Sequence, residues 1–209
     1  MEVLEFIFGQ YREYSVPHIV LESLAIIASV VSVLYSKNNN VLVFPYGIIS
    51  TGVFVYLLNE WNLVGDMIIN MYYFIMSIYG WYIWTRSDEN RGVTPISRTT
   101  SKEWMKSSAI FISSGIFVYF IYWKFDRFEN WVSYLDILTT SIAFAGMWLM
   151  ALRKIEYWLV LLVANIISVP LYLYKGYGLT ALLFIFLSII ACLGYQEWKK
   201  YLDKEPLAA

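Results

Sequence analysis

Long apolar runs, broken by short polar ones, organise this chain. A helix that crosses a bilayer needs about 20 mostly apolar residues. Seven runs reach or approach that length: 19–35, 41–58, 64–84, 107–123, 132–152, 157–174 and 179–198. Most of the breaks are brief, at 36–40, 59–63, 153–156 and 175–178. One is long, residues 85–106, and holds Pro95 with many Ser and Thr. The pattern predicts an all-α membrane protein of seven transmembrane helices, split by the long loop into three, one and three.

The two triplets are weak copies of each other. Residues 22–84 and 136–198 align without a gap at a constant offset of 114, pairing Glu22 with Asp136, Phe44 with Trp158, Gly80 with Gly194 and Trp84 with Trp198. With one linker helix between them, the first and fifth helices point the same way. The expected architecture is therefore a 3+1+3, SWEET-like arrangement of parallel repeats, with a binding site where they meet. The divisions are 1–18 as an N-terminal interfacial segment, 19–84 as the first repeat, 85–131 as loop and linker helix, 132–198 as the second repeat and 199–209 as a tail.

Loop charge sets the expected orientation. Lys37, Arg86, Arg91, Arg98, Lys102, Lys106, Arg153, Lys154, Lys199, Lys200 and Lys204 fall on one side, against Arg12, Lys124, Arg127 and Lys175 on the other. The C-terminus is expected in the cytoplasm and the N-terminus outside, in a cell (inner) membrane. No secretory signal is expected, since acidic Glu2 follows Met1 and no basic stretch precedes the first apolar run.

Composition agrees. The chain is 59% apolar and 15% charged, against roughly half and a quarter in globular domains. Lipid is what the excess apolar surface is expected to face. A net charge of −1 without any Lys/Arg-rich run points away from nucleic acid. The single cysteine, Cys192, sits in an apolar run and reads as a small hydrophobe.

Polar residues inside the apolar helices carry the functional signal, because in lipid they are expected to face the bundle interior. In the third helix Asn70, Tyr73, Ser77, Gly80 and Trp84 recur at steps of three and four, so they share one face. Tyr79 and Trp81 flank the glycine. In the first helix Glu22, Ala25, Ser29, Ser32 and Ser36 do the same, a spacing that equally suits close helix packing. The sixth offers Asn165, Ser168 and Tyr172, with Pro170 as a candidate kink. Trp84 and Trp198 also read as interfacial belt residues. Glu22 and Asp136 lie near helix ends and read either as proton-coupling acids or as loop-holding ones. His18, the only histidine, reads as an interfacial residue.

No Lys or Arg falls in the middle of a span. A phosphorylated cargo would want one, so the expected ligand is neutral or cationic. Tryptophan and tyrosine, with aromatics at 19% of the chain, suit a flat ring, better still a cationic one. No catalytic or metal-binding residue, and no cofactor, is expected.

Several motifs resemble the Pnu-type vitamin transporter family, whose best-known members carry nicotinamide riboside and whose relatives carry thiamine or riboflavin. They are Phe44-Pro45-Tyr46-Gly47, Asn70-x-x-Tyr73, Tyr79-Gly80-Trp81-Tyr82-x-Trp84, Thr139-Thr140, Trp148-Leu149-Met150-Ala151, Lys154-Ile155-Glu156-x-Trp158, Asn165, Leu171-Tyr172-x-Tyr174-Lys175-Gly176 and Gly194-Tyr195-x-x-Trp198. The resemblance spans about residues 20–200. It implies facilitated diffusion, made one-way by a cytoplasmic vitamin kinase, and a possible homotrimer surrounded by membrane lipid. It also implies a substrate site built from Asn70, Tyr73, Tyr79, Trp81, Trp84, Thr140, Trp148, Asn165 and Tyr172. Two positions depart from the family. Phe44 stands where Trp is usual, and Met147 where nicotinamide riboside carriers usually show Gln. Loss of that amide would weaken recognition of a carboxamide or ribose, which keeps thiamine as the alternative cargo.

Other classes fit less well. An intramembrane protease would need a Ser–His or Asp–Asp pair at depth, and no span contains His. A retinal protein would need a lysine deep in the seventh helix, and residues 179–198 hold none. A purely structural subunit gains nothing from asparagines placed in lipid.

Overall fold

The computed structural model describes residues 15–61, 63–88, 92–126, 128 and 130–204. Seven helices run in order: α1 (Val16–Lys37), α2 (Val43–Glu60), α3 (Val64–Thr85), α4 (Ser101–Lys124), α5 (Val132–Ala151), α6 (Tyr157–Tyr174) and α7 (Gly178–Lys204). A short antiparallel ribbon, β1 (Ser87–Asp88) with β2 (Gly92–Val93), lies between α3 and α4. The expected all-α membrane protein is therefore the one observed. The segment expected at the membrane interface lies, up to residue 14, outside the described residues.

Five helices, α1, α4, α5, α6 and α7, are long and apolar enough to cross a membrane. α2 and α3 fall short in hydropathy. Pro45, Tyr46, Gly47, Ser50 and Asn59 dilute α2, while Asp66, Asn70 and a run of tyrosines dilute α3. Exposed apolar side chains climb the outer faces, such as Val20, Leu24 and Ile27 on α1 and Ile112, Ile116 and Phe120 on α4. That surface, too large for a soluble monomer, is a lipid-facing sheath. This is a multi-pass membrane protein.

α4 starts at Ser101, earlier than the apolar run beginning at 107 suggests. Thr100 and Glu103 form a reciprocal capping box: the Glu103 amide donates to Thr100 Oγ1 at 3.3 Å, and the Thr100 amide donates to Glu103 Oε2 at 2.8 Å. Hydropathy finds the part of a helix in lipid, and a capping box finds its true start.

α1 packs on α2 and α2 on α3, and likewise α5 on α6 and α6 on α7. The two groups touch through α3 with α5 and α1 with α7, while α4 lies mainly against α5. The 114-residue offset recurs atom by atom in the turns. The Asn40 amide donates to Tyr35 O at 2.9 Å, and the Lys154 amide to Leu149 O at 3.0 Å. The Leu63 amide donates to Leu58 O at 2.8 Å, and the Tyr177 amide to Tyr172 O at 2.9 Å. Asn39 and Arg153, themselves 114 apart, both take left-handed backbone, with φ of 54° and 58°.

The same offset governs packing. A Cβ on Gly80 would collide with the Phe44 ring, and one on Gly194 with the Trp158 ring. Trp84 then meets Phe44 edge-on at 5.0 Å, and Trp198 meets Trp158 edge-on at 5.9 Å. These rings belong to one buried cluster that also holds Leu149, Ile155 and Tyr157. All of it lies at the end of the bundle that carries the α1–α2 and α5–α6 turns, here the Arg153 end.

Because Phe44 and Trp158 are each 1% exposed, neither ring has room to retreat. Gly80→Ala and Gly194→Ala are each expected to lower stability by about 1–3 kcal/mol. Trp158→Phe, which copies the first repeat's residue into the second, is expected to cost less than either. Thermal unfolding of the detergent-purified variants checks the order.

Candidate functional site

The Arg153 end is sealed. The Trp84 indole N–H donates to Met150 O at 3.2 Å, and the Trp198 indole N–H donates to Ser36 O at 2.9 Å. Ser36 and Met150 are repeat partners, so each half gives the other the same bond. Trp84 and Trp198 touch, with ring centroids 5.7 Å apart. Arg153 lies across the junction: Nε and Nη2 donate to Asn39 Oδ1 at 3.0 and 2.7 Å, Nη1 donates to Thr94 O, and the guanidinium sits 4.5 Å from the Trp84 ring. The segment before α4 straps this end. Ser97 bridges to Lys154 in parallel, its amide donating to Arg153 O and its carbonyl accepting from the Ile155 amide. Thr99 donates twice to Glu156 Oε2, and Lys154 pairs with Glu103 at 2.8 Å.

Midway, α3 and α5 meet through aromatic rings. Tyr72 stacks on Phe144 at 3.8 Å and 4°, and its hydroxyl donates to Phe144 O at 2.9 Å. Tyr73 meets Phe144 edge-on at 5.7 Å. Tyr172 of α6 stacks on Phe184 of α7 at 5.1 Å. Rings of α3 and α5 thus meet at Phe144 and rings of α6 and α7 at Tyr172, and Asn165 and Ser168 on α6 are buried.

The opposite end, called the Lys175 end, is hollow. A cavity of about 410 Å³ is lined by the starts of α3 and α5 and the ends of α4 and α6, including Asp66, Tyr122, Asn130, Asp136, Lys175 and Tyr177. That volume falls in the range of small-molecule sites. Lys175 Nζ lies 2.7 and 2.5 Å from the two Asp136 oxygens and 5.2 Å from the Tyr172 ring centre. Among the described residues, no group of three or more His, Cys, Asp or Glu could hold a metal ion.

The sequence-predicted residues divide accordingly. Tyr73 meets the Phe144 ring and Tyr172 the Phe184 ring, and neither lines the cavity. Asn165 is buried on α6, and Thr140 and Trp148 are half-buried on α5. Asn70 is half-buried, its side-chain amide donating to Asp66 O one turn back at 3.0 Å. Trp84 belongs to the seal. Tyr79 and Trp81 are not brought in: they stand on the outer surface, 39% and 42% exposed. Each is one residue from Gly80, so each is rotated about 100° from the inward stripe. Phe144, Tyr72, Arg153 and Asn39 were missed. The repeat offset alone pairs Asn39 with Arg153 and could have found the last two.

This is the architecture of a small-molecule membrane transporter: a helical bundle closed at one end, with polar and aromatic groups inside and a chamber open at the other. The sequence pattern of the nicotinamide mononucleotide transporter family matches residues 19–200, and the chain belongs to that family. It is 22% identical to the nicotinamide riboside transporter PnuC of Escherichia coli (strain K12), over 85% of this chain and 84% of that one. It is 21% identical to the nicotinamide riboside transporter PnuC of Neisseria mucosa, over 88% and 73%. A crystal structure of the vitamin B3 transporter PnuC shares the fold, with a TM-score of 0.68 at 20% identity, covering 91% of this chain and 85% of that one.

The Arg153–Asn39 contact is the testable joint of the seal. A double-mutant cycle with Asn39→Ala and Arg153→Ala is expected to give a coupling of about 0.5–3 kcal/mol. The stability of the two single variants and the double variant measures it.

Proposed function

We propose that this chain carries nicotinamide riboside into the cell by facilitated diffusion, with intracellular phosphorylation making uptake one-way. The observation that carries this reading is the ring contact of Tyr73 with Phe144 between the two halves, together with an acid-bearing cavity whose Lys175 lies over the Tyr172 ring. Nicotinamide riboside is a flat pyridinium cation on a ribose. Aromatic faces attract such a cation, and the asparagines supply donors and acceptors for its hydroxyl and amide groups. The family and the relatives named above support the same cargo.

In this reading the site comprises Asn70, Tyr73, Thr140, Trp148, Asn165 and Tyr172, with Trp84 in the gate below. Tyr79 and Trp81 are left out of it; their exposed rings suit a protein or lipid contact, including a homotrimer. All seven helices cross an inner membrane as 3+1+3 parallel repeats, with the N-terminus outside and the Arg153 end in the cytoplasm. The described conformation then opens outward. A cytoplasmic vitamin kinase would phosphorylate the cargo, and a phosphate has no cation at mid-membrane to receive it on the way back. Thiamine, also a cationic ring, is the second reading. Met147, half-buried on α5, favours it, because an amide there would have served a carboxamide or ribose.

Titration of purified protein with nicotinamide riboside, thiamine and riboflavin is expected to give the tightest binding for the first. Thiamine binding without nicotinamide riboside binding would select the second reading. Tyr172→Ala is expected to weaken binding about thirty-fold, the equivalent of about 2 kcal/mol of desolvated cation–π contact. Proteoliposomes are expected to equilibrate labelled vitamin regardless of a proton gradient, and to accumulate it only with kinase and ATP enclosed.

A further inference from the structure

We propose that the Lys175 ammonium is a tethered stand-in for a cationic ligand: it fills the cation subsite of the cavity, leaves when such a ligand enters, and so sets the charge preference of the site. The inference rests on the transport reading above and adds the group that tunes it.

Three features of Lys175 point this way. The first is what holds it. Its ammonium lies against both oxygens of Asp136 at 2.7 and 2.5 Å and over the Tyr172 ring at 5.2 Å. A carboxylate plus an aromatic face is the recognition a cationic ring itself would use. Lys175 also caps the C-terminus of α6, where the helix dipole adds negative potential. The second is position. Lys175 and Asp136 both line the 410 Å³ cavity, and the Tyr172 ring lies under the Lys175 ammonium. A cationic ligand seeking Asp136 and Tyr172 must meet the ammonium, and two like charges cannot share one carboxylate at such range.

The third is freedom to leave. The Lys175 side chain is 26% exposed and that of Asp136 14%. Four flexible methylenes let the ammonium swing outward without disturbing α6, and Gly176 behind it turns the chain at φ 82°. The repeat offers a check on a merely structural role. Glu22 is the first-repeat partner of Asp136, but Trp61 stands where Lys175 would be. The Trp61 and Leu63 amides after α2 nonetheless donate to Leu57 and Leu58 as the Lys175 and Tyr177 amides do to Leu171 and Tyr172. The ammonium is not what shapes this turn.

The test uses the full-length protein in detergent, with two probes of nearly one shape: nicotinamide riboside, a cation, and its reduced dihydropyridine form, which is neutral. Lys175→Met is expected to tighten the cation about ten-fold and to move the neutral form less than two-fold. Lys175→Arg is expected to leave both within two-fold. Asp136→Asn is expected to weaken the cation ten-fold or more and to spare the neutral form. Should the methionine variant unfold, Lys175→Gln gives the same readout. A structural role would shift both probes together, and equal shifts, or no tightening of the cation, overturn the proposal while leaving the transport reading intact. Wild-type protein that binds neither probe overturns both.

Discussion

Two indole hydrogen bonds hold the bundle in its closed form. In lipid every backbone polar group must find a partner within the protein, and carbonyls at helix ends are where that is hardest. Trp84 and Trp198 each serve the last turn of a helix in the other half, at Met150 and Ser36. The exchange is isologous, as in a two-fold dimer, although both halves lie in one chain. It explains why a glycine sits four residues before each tryptophan. Only without a Cβ can Phe44 and Trp158 come close enough to fix the indoles.

From that seal the rest follows as a gradient along the bundle. The Arg153 end has the large rings, the reciprocal bonds and the strap before α4. The Lys175 end has hollow space, ionisable groups and the Lys175–Asp136 ion pair. A site between a packed end and a hollow one can receive a ligand from one side only. Arg153, Asn39 and the strap add polar contacts to that packed end, whose interior is the buried ring cluster.

Much of this was legible in the sequence, for identifiable reasons. Apolar runs marked all seven helices, although five of them are long and apolar enough to cross a membrane. The offset of 114 gave the pairing of Gly80 with Gly194 and of Trp84 with Trp198, later seen as equivalent contacts. The start of α4 was misplaced because its first turn is polar, although Thr100 and Glu103 announced it. The inward stripe of α3 held for Ser77, Gly80 and Trp84, which are buried. Tyr79 and Trp81 lie beside that stripe rather than on it, and their rings are exposed. Phe144 escaped notice because a phenylalanine in an apolar helix carries no polar signal. Its role depends on stacking with Tyr72, a fact of tertiary structure.

Arg153 and Asn39 occupy corresponding positions, share a left-handed backbone and bond to each other. Asparagine tolerates that backbone readily, and arginine less so. An assembly of two identical half-length chains would place one residue type at both positions. Two arginines would repel, and two asparagines would offer no cation to hold the Thr94 carbonyl. The clasp therefore needs two different residues at corresponding positions, which two identical halves could not supply.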